Sequence, residues 1–199
     1  DEVYKRTGVR IEIIDGAEEA SIIASTDISS LIQKDKDYLY IDVGGGSTEF
    51  TVFSKGKVKK SRSFPIGTVR LLDNKVSDKT WEDVEKWIKK HTKDCEHIEA
   101  IGSGGNINKI HKNSNSKEGE PLSYQYLTDY HNYVSGFSYE ERIRLLGFNP
   151  DRADVILYAL TVFTNAMKWS GAEIVHVPRI GLADGIVRTI YNKENNVIK

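Results

Sequence analysis

Tyr38-Leu39-Tyr40-Ile41-Asp42-Val43, then Gly44-Gly45-Gly46-Ser47-Thr48, then Glu49-Phe50-Thr51-Val52-Phe53-Ser54 follow one another without a break. The two outer pieces, rich in aromatic and β-branched residues, read as strands, and the glycine run joins them. A turn at Lys55-Gly56 leads into residues 57–64, where charged and small residues alternate as in a third, more exposed antiparallel strand.

Outward from this hairpin, residues 80–95 read as a helix, with Trp81, Val84, Trp87 and Ile88 at spacings of three and four. Residues 98–101 form a strand that enters the second glycine cluster, Gly102-Ser103-Gly104-Gly105, and a helix starts near Asn106. The polar stretch 113–120 is a loop, followed by helices over 123–134, 138–146 and 151–169, the last placed just after Pro150. A strand over 174–177 and a helix over 181–191 close the chain. Ahead of the hairpin, residues 10–14 read as a short strand ending at Asp15-Gly16, and the helix after it puts Ala20, Ile23 and Ala24 on one face. This order predicts an α/β fold, a ribonuclease-H-like mixed sheet with flanking helices. No internal repeat interrupts it.

Composition narrows the class. The chain has 199 residues and a formal net charge of -1, enough length for a real core and no basic excess of the kind a dedicated nucleic-acid binder carries. No apolar run reaches the roughly 18 residues of a membrane span, and no secretory signal opens the sequence, so the expected compartment is the cytoplasm, with no membrane partner. The single cysteine, Cys95, excludes an intramolecular disulfide and a cysteine-based zinc cluster and reads as structural filler. The five histidines show no pairing at metal-ligand spacing. The lone methionine is Met167, so the chain is read as starting inside a longer protein.

The residues from Asp42 to Glu49 carry the chemistry. Gly44, Gly45 and Gly46 let the backbone turn sharply and approach a ligand, so that successive N–H groups meet phosphate oxygens, and Ser47 and Thr48 add hydroxyl donors. Asp42 at the end of one strand and Glu49 at the start of the next suit a hard cation; magnesium favours such an oxygen-rich, partly hydrated shell. The loop is not a P-loop, because it leads into a strand and no Gly-Lys-Ser follows. Gly102, Ser103, Gly104 and Gly105 lie between a strand and a helix, where backbone N–H groups favour an anion, although a simple turn accounts for them equally well. Lys55, Lys57 and Lys59 project from one side of their hairpin and Lys60 and Arg62 from the other; a polyanion would find them attractive, but protection of a sheet edge is the commoner use.

Four stretches in this order resemble the exopolyphosphatase and guanosine-pentaphosphatase family of the sugar kinase, actin and Hsp70 superfamily: Gly16-Ala17-Glu18-Glu19-Ala20, the run from Tyr40 to Glu49, Gly102-Ser103-Gly104-Gly105, and Gly181-Leu182-Ala183-Asp184-Gly185. The resemblance implies an actin-like ATPase domain with residues 1–32 as the last strand and linking helix of a first domain and 33–199 as the second domain. It implies hydrolysis of the terminal phosphoanhydride of inorganic polyphosphate or of guanosine pentaphosphate with Mg²⁺, and it admits a homodimer. Glu19, the second acid of its pair, is implied as the general base that activates water; by themselves Glu18 and Glu19 read more readily as acids in the first turn of a helix. Asn106 stands where relatives usually carry Thr, and Asp184 reads as a helix cap. The isolated chain, with one wall of its cleft absent, is expected to turn over poorly. Two other readings compete: an ATP-dependent kinase or Hsp70-like ATPase, which would need a nucleotide pocket at Gly102 to Gly105, and a non-catalytic phosphate or nucleotide sensor.

Overall fold

The computed structural model describes residues 2–11, 32–178, 187 and 191. Strands β1 (Asp37–Val43), β2 (Thr48–Ser54) and β3 (Lys57–Phe64) form an antiparallel meander. On the far side of β1 lies β4 (Ile98–Ser103), parallel to it, and then β6 (Ile174–His176), parallel to β4. The two-residue β5 (Leu122–Ser123) adds an antiparallel edge, giving the order β3-β2-β1-β4-β6-β5. The expected mixed α/β sheet with flanking helices is therefore present.

Alternation along the strands separates two faces. Leu39, Ile41, Val43, Phe50, Val52, Phe64 and Ala100 belong to the main core, built with helices α3 (Asp78–Thr92) and α8 (Ile156–Ser170). Trp81, Val84, Trp87 and Ile88 line the inner side of α3, and Trp87 closes an aromatic cluster with Phe50 and Phe64 at centroid distances of 6.0 to 6.4 Å. Tyr38, Tyr40, Phe53 and Ile101 form a smaller cluster on the opposite face. Asp42 and Glu49 share that second face, since each alternates in phase with those residues. Removing the ring of Phe50, which is fully buried, should cost about 3–5 kcal/mol. Urea denaturation of Phe50→Ala checks this; a loss under about 1 kcal/mol would mean that the aromatic cluster is not a tightly packed part of the core.

β3 is the edge strand, and most of its side chains are exposed, as the lysine-rich sequence predicts. The Lys55-Gly56 turn has positive φ at both residues, 52° and 73°, the geometry that suits a two-residue hairpin. Boundaries elsewhere shift. Helix α3 starts at Asp78, two residues before the expected start, because the Ser77 side chain caps it by accepting from the Thr80 N–H. β4 continues through Gly102 and Ser103 before α4 (Gly105–Asn113) begins. Helices α5 (Tyr124–Ser135) and α6 (Tyr139–Arg144) fall where periodicity predicts them, α6 with a Ser138/Glu141 capping box. A five-residue helix, α2 (Thr68–Leu72), was not expected.

The long helix expected over 151–169 is divided into α7 (Pro150–Ala153) and α8. Arg142 explains the break: its Nη1 donates to the Ala153 carbonyl at 3.1 Å, taking an acceptor that a continuous helix would use four residues further on. At the other end of the chain, α1 (Glu2–Thr7) buries no residue, and Arg10 and Ile11 are exposed and outside any strand. The remainder of the strand expected over 10–14, the helix carrying Glu18 and Glu19, and Gly181 to Gly185 with Asp184 lie outside the described residues. No helix among the described residues is long and apolar enough to cross a membrane.

Candidate phosphate and cation site

The site forms at the carboxyl ends of β1 and β4, where two parallel neighbours release their loops side by side. Asp42 and Glu49 are directly opposite each other in the β1–β2 register, and Asp42 is also level with Ser103 in the β1–β4 register. Ser63 of β3 stands opposite Glu49. Four strands thus place Ser63, Glu49, Asp42 and Ser103 in one row on one face.

The row is tied together by hydroxyls. Glu49 Oε1 accepts from Ser47 Oγ and from Ser63 Oγ, both at 2.7 Å. Asp42 Oδ2 accepts from the Tyr40 hydroxyl at 3.3 Å, and the Ser103 hydroxyl also bonds to the Asp42 carboxylate. Burial pushes the Asp42 carboxyl above its ordinary range, and the Glu49 charge pushes the same way; the bonds from Tyr40 and Ser103 pull it back only in part. Two carboxylates facing each other, one of them largely desolvated, form a donor set that a small hard cation would relieve. Among the described residues no third His, Cys, Asp or Glu joins them. A shell of one or two carboxylates completed by waters and substrate oxygens is what magnesium takes, so these residues fit that ion.

The glycine loop is oriented by its carbonyls. The Gly44 carbonyl accepts from the Thr68 N–H at 3.0 Å, the Gly45 carbonyl from Val69 and Arg70 N–H groups at 2.9 and 3.3 Å, and the Gly46 carbonyl from Arg70 Nε at 2.7 Å. The donors to Gly44 and Gly45 are the unpaired first N–H groups of α2, so the loop serves as that helix's cap, in place of a side chain that Gly67 cannot supply, and the Arg70 side chain adds the bond to Gly46. Every described peptide is trans, so the N–H following each of these carbonyls points the opposite way. Gly45, Gly46 and Ser47 therefore turn three successive N–H groups away from α2, and none of the three donates to a described main-chain acceptor. Successive free N–H groups of this kind make an anion-binding concavity.

Hydroxyls expected to face phosphate have other partners. Thr48 is buried and donates to the Ile66 carbonyl, which anchors the end of the hairpin. Ser47 and Ser103 are turned to the two carboxylates. In the second loop, Gly104 takes φ 107° and caps α4 without a side-chain acceptor; a Cβ there would stand 2.9 Å from the Val43 carbonyl and 3.5 Å from Asp42 Oδ1. Gly102 is part of the core instead, where a Cβ would press on Phe163, Ile107 and Val175. Sequence reading missed Tyr40, Ser63, Gly67 and Arg70. Only Gly67, after Pro65, carried a turn signal; Tyr40 reaches Asp42 two residues on along the same strand, and Ser63 and Arg70 act through cross-strand and tertiary contacts that no local pattern announces.

The model of the Ppx/GppA phosphatase family matches residues 1–194. A bifunctional 3-dehydroquinate synthase/phosphatase of Fusobacterium nucleatum is 26% identical over 96% of this chain, which spans only 32% of that protein's length. Among solved structures, the Aquifex aeolicus member of the Ppx/GppA family matches with a TM-score of 0.73 at 22% identity, over 98% of this chain and 69% of that one. An exopolyphosphatase from Cytophaga hutchinsonii matches with a TM-score of 0.78 at 20% identity, over 96% of this chain and 69% of the other. At these identities the structural matches establish the fold.

Proposed function

The chain belongs to the Ppx/GppA phosphatase family, and from that premise we propose that it releases terminal phosphate from inorganic polyphosphate or guanosine pentaphosphate, with Mg²⁺ held by Asp42 and Glu49. The observation that carries this reading is the pairing of those two carboxylates across β1 and β2 beside a loop whose three N–H groups have no main-chain acceptor among the described residues. The name of the Cytophaga protein, an exopolyphosphatase, and the phosphatase in the name of the Fusobacterium protein point to the same reaction class. Bound at the carboxylates, the ion would supply positive charge to offset that of the phosphoryl group in flight.

In this reading the N–H groups of Gly45, Gly46 and Ser47 hold oxygens of the terminal phosphate and fix it for in-line attack. Tyr40 and Ser103 orient the Asp42 carboxylate, while Ser47 and Ser63 orient Glu49. A water oxygen bonds to the terminal phosphorus and gives its proton to the Glu19 carboxylate. The bond from that phosphorus to the bridging oxygen breaks, and the bridging oxygen leaves with the electron pair on the shortened substrate.

The test is phosphate release by the intact protein from each substrate. Glu19→Gln should bind substrate but slow release by roughly 10²-fold or more, while Glu18→Gln does much less. The reverse ranking would assign the base to Glu18, and equal, near-normal rates in both variants would remove this pair from the mechanism.

A further inference from the structure

The edge strand β3 has two differently charged faces. Ser63 stands opposite Glu49 and joins the carboxylate row, whereas Arg62 stands opposite Phe50 and Lys60 opposite Val52, on the face of the main core and α3. Between that face and α3 lies a cavity of about 550 Å³. Lys60 and Arg62 line it from the strand, and Asp83, Lys86, Lys90 and His91 from the helix, at intervals that put the helix residues on one side with Trp87. Four Lys or Arg side chains thus meet one carboxylate, Asp83, in a chain whose net charge is -1. Lys86 pairs with Glu82 at 3.2 Å; among the described residues Lys60, Arg62 and Lys90 form no ion pair with a carboxylate.

The floor of the recess is continuous with the core. Arg62 is held over the Phe64 ring at 4.4 Å, Phe64 meets Trp87 at 6.0 Å, and Trp87 meets the His91 ring at 4.9 Å. Burial lowers the His91 pKa below its ordinary value, and Lys90, Lys60 and Lys59 push it the same way. Protection of a sheet edge needs charge along the strand. It gives no reason for strand cations to converge with helix cations in one recess, where they repel one another and an anion would relieve them. The volume lies within the range of small-ligand pockets. Phe64 and Trp87 are buried, and Arg62 covers Phe64, so neither ring is presented as a platform for the base stacking that single-stranded nucleic-acid sites use.

We propose that this groove is a second anion site, on the opposite face of β3 from the carboxylate pair, and that it takes a compact ligand carrying two or three linked phosphoryl groups. Arg62 offers a planar fork to one phosphoryl group, and Lys60 and Lys90 neutralise its neighbours from the two walls. Asp83 confines the ligand to the cationic part of the recess. The phosphoryl chain is shared by inorganic pyrophosphate or tripolyphosphate and by the tail of a nucleotide. The inference does not depend on the hydrolase reading, because the groove contains none of the residues assigned to that reaction.

NMR of the intact, 15N-labelled protein in chelator, titrated with pyrophosphate, tripolyphosphate and ATP, reads the groove without turnover. Saturable shifts are expected at the amides of residues 60–62 and 86–91. The midpoint of the His91 titration should rise by about 1 pH unit in saturating tripolyphosphate, because negative charge beside the ring favours its protonated form. The double variant Lys60→Gln, Lys90→Gln should weaken binding by about tenfold or more, the scale of two lost charge-assisted hydrogen bonds, while Asp42→Asn leaves it within about twofold. Equal affinities for tripolyphosphate and ATP would mean that the groove reads the phosphate tail from either source, and tighter binding of ATP would identify a nucleotide. Shifts confined to residues 44–48 with His91 unmoved would overturn the site, as would unchanged affinity in a double variant with a native melting temperature. Displacement of tripolyphosphate by a hexaglutamate peptide or a single-stranded RNA at a lower concentration of charged groups would overturn the ligand class in favour of a macromolecular partner.

Discussion

Asp42→Asn is expected to abolish magnesium-dependent turnover and at the same time to raise the melting temperature measured in chelator. The loss follows from the carboxylate's proposed role: a metal's contribution to stabilising transition-state charge is several kcal/mol, on the order of 10³-fold in rate. The gain follows from its surroundings. Burial and the facing Glu49 raise the Asp42 pKa in the folded chain above the value in the unfolded chain. The folded state then retains a proton that the unfolded state gives up, so the contribution of this group to stability is greatest below the ordinary aspartate pKa. It falls as the pH rises through the shifted value, and at neutral pH the charge opposes folding. The isosteric amide removes that charge, for a gain on the order of 1 kcal/mol. Mg²⁺ should raise the melting temperature of the wild-type protein and not that of the variant. Near-normal phosphate release by Asp42→Asn would end the cation assignment, and a variant less stable than wild type in chelator at neutral pH would end the account of the charge.

Gly67→Ala should damage both stability and catalysis from a position that touches no substrate in the proposed reaction. Its φ of -117° is open to any residue, so the constraint is entirely spatial. A Cβ would stand 2.3 Å from the Gly45 oxygen, 2.4 Å from the Gly45 carbonyl carbon and 2.6 Å from the Gly46 carbonyl carbon. Backbone atoms cannot yield by changing rotamer, so the glycine loop must move as a unit away from α2 and give up the hydrogen bonds to Thr68, Val69 and Arg70. Overpacking of this kind costs about 1–3 kcal/mol. Displacing the loop N–H groups by about 1 Å is expected to cost roughly 10²-fold in kcat/KM. Gly46→Ala is the control for stability, since nothing lies within 4 Å of a Cβ there. Equal melting temperatures for the two variants would show that the loop is not held by its approach to Gly67.

Much of the sheet was legible because its signals are local. In β1 and β2 the strand residues and the glycine run adjoin, and a hairpin that short leaves Asp42 and Glu49 little choice but to face each other. Two acids bracketing a glycine run then pointed to a hard cation, while the role of Glu19 came only from the family resemblance. Periodicity likewise marked α3, because Trp81, Val84, Trp87 and Ile88 repeat with the helical turn. The exposed lysines of β3 announced an edge strand, and the sheet order places it at the edge.

What the sequence by itself determined, then, is the order of elements, the hairpin with its two acids, and the glycine-rich turns that leave β1 and β4. Tertiary structure decided how those parts are aimed. The break between α7 and α8 arises because Arg142, from another helix, takes the Ala153 carbonyl, and no local propensity records a donor that comes from elsewhere in the chain. The N–H groups of Gly45, Gly46 and Ser47 are turned away from α2 because that helix takes the carbonyls of Gly44, Gly45 and Gly46, a pairing made across more than twenty residues. Arg152 reaches Gly105 and Asn106 only after α7 has docked beside α4, which brings together residues 46 apart in the chain. Local pattern sets which backbone conformations are cheap; long-range packing sets which donors and charges meet, and the candidate site depends on the second as much as on the first.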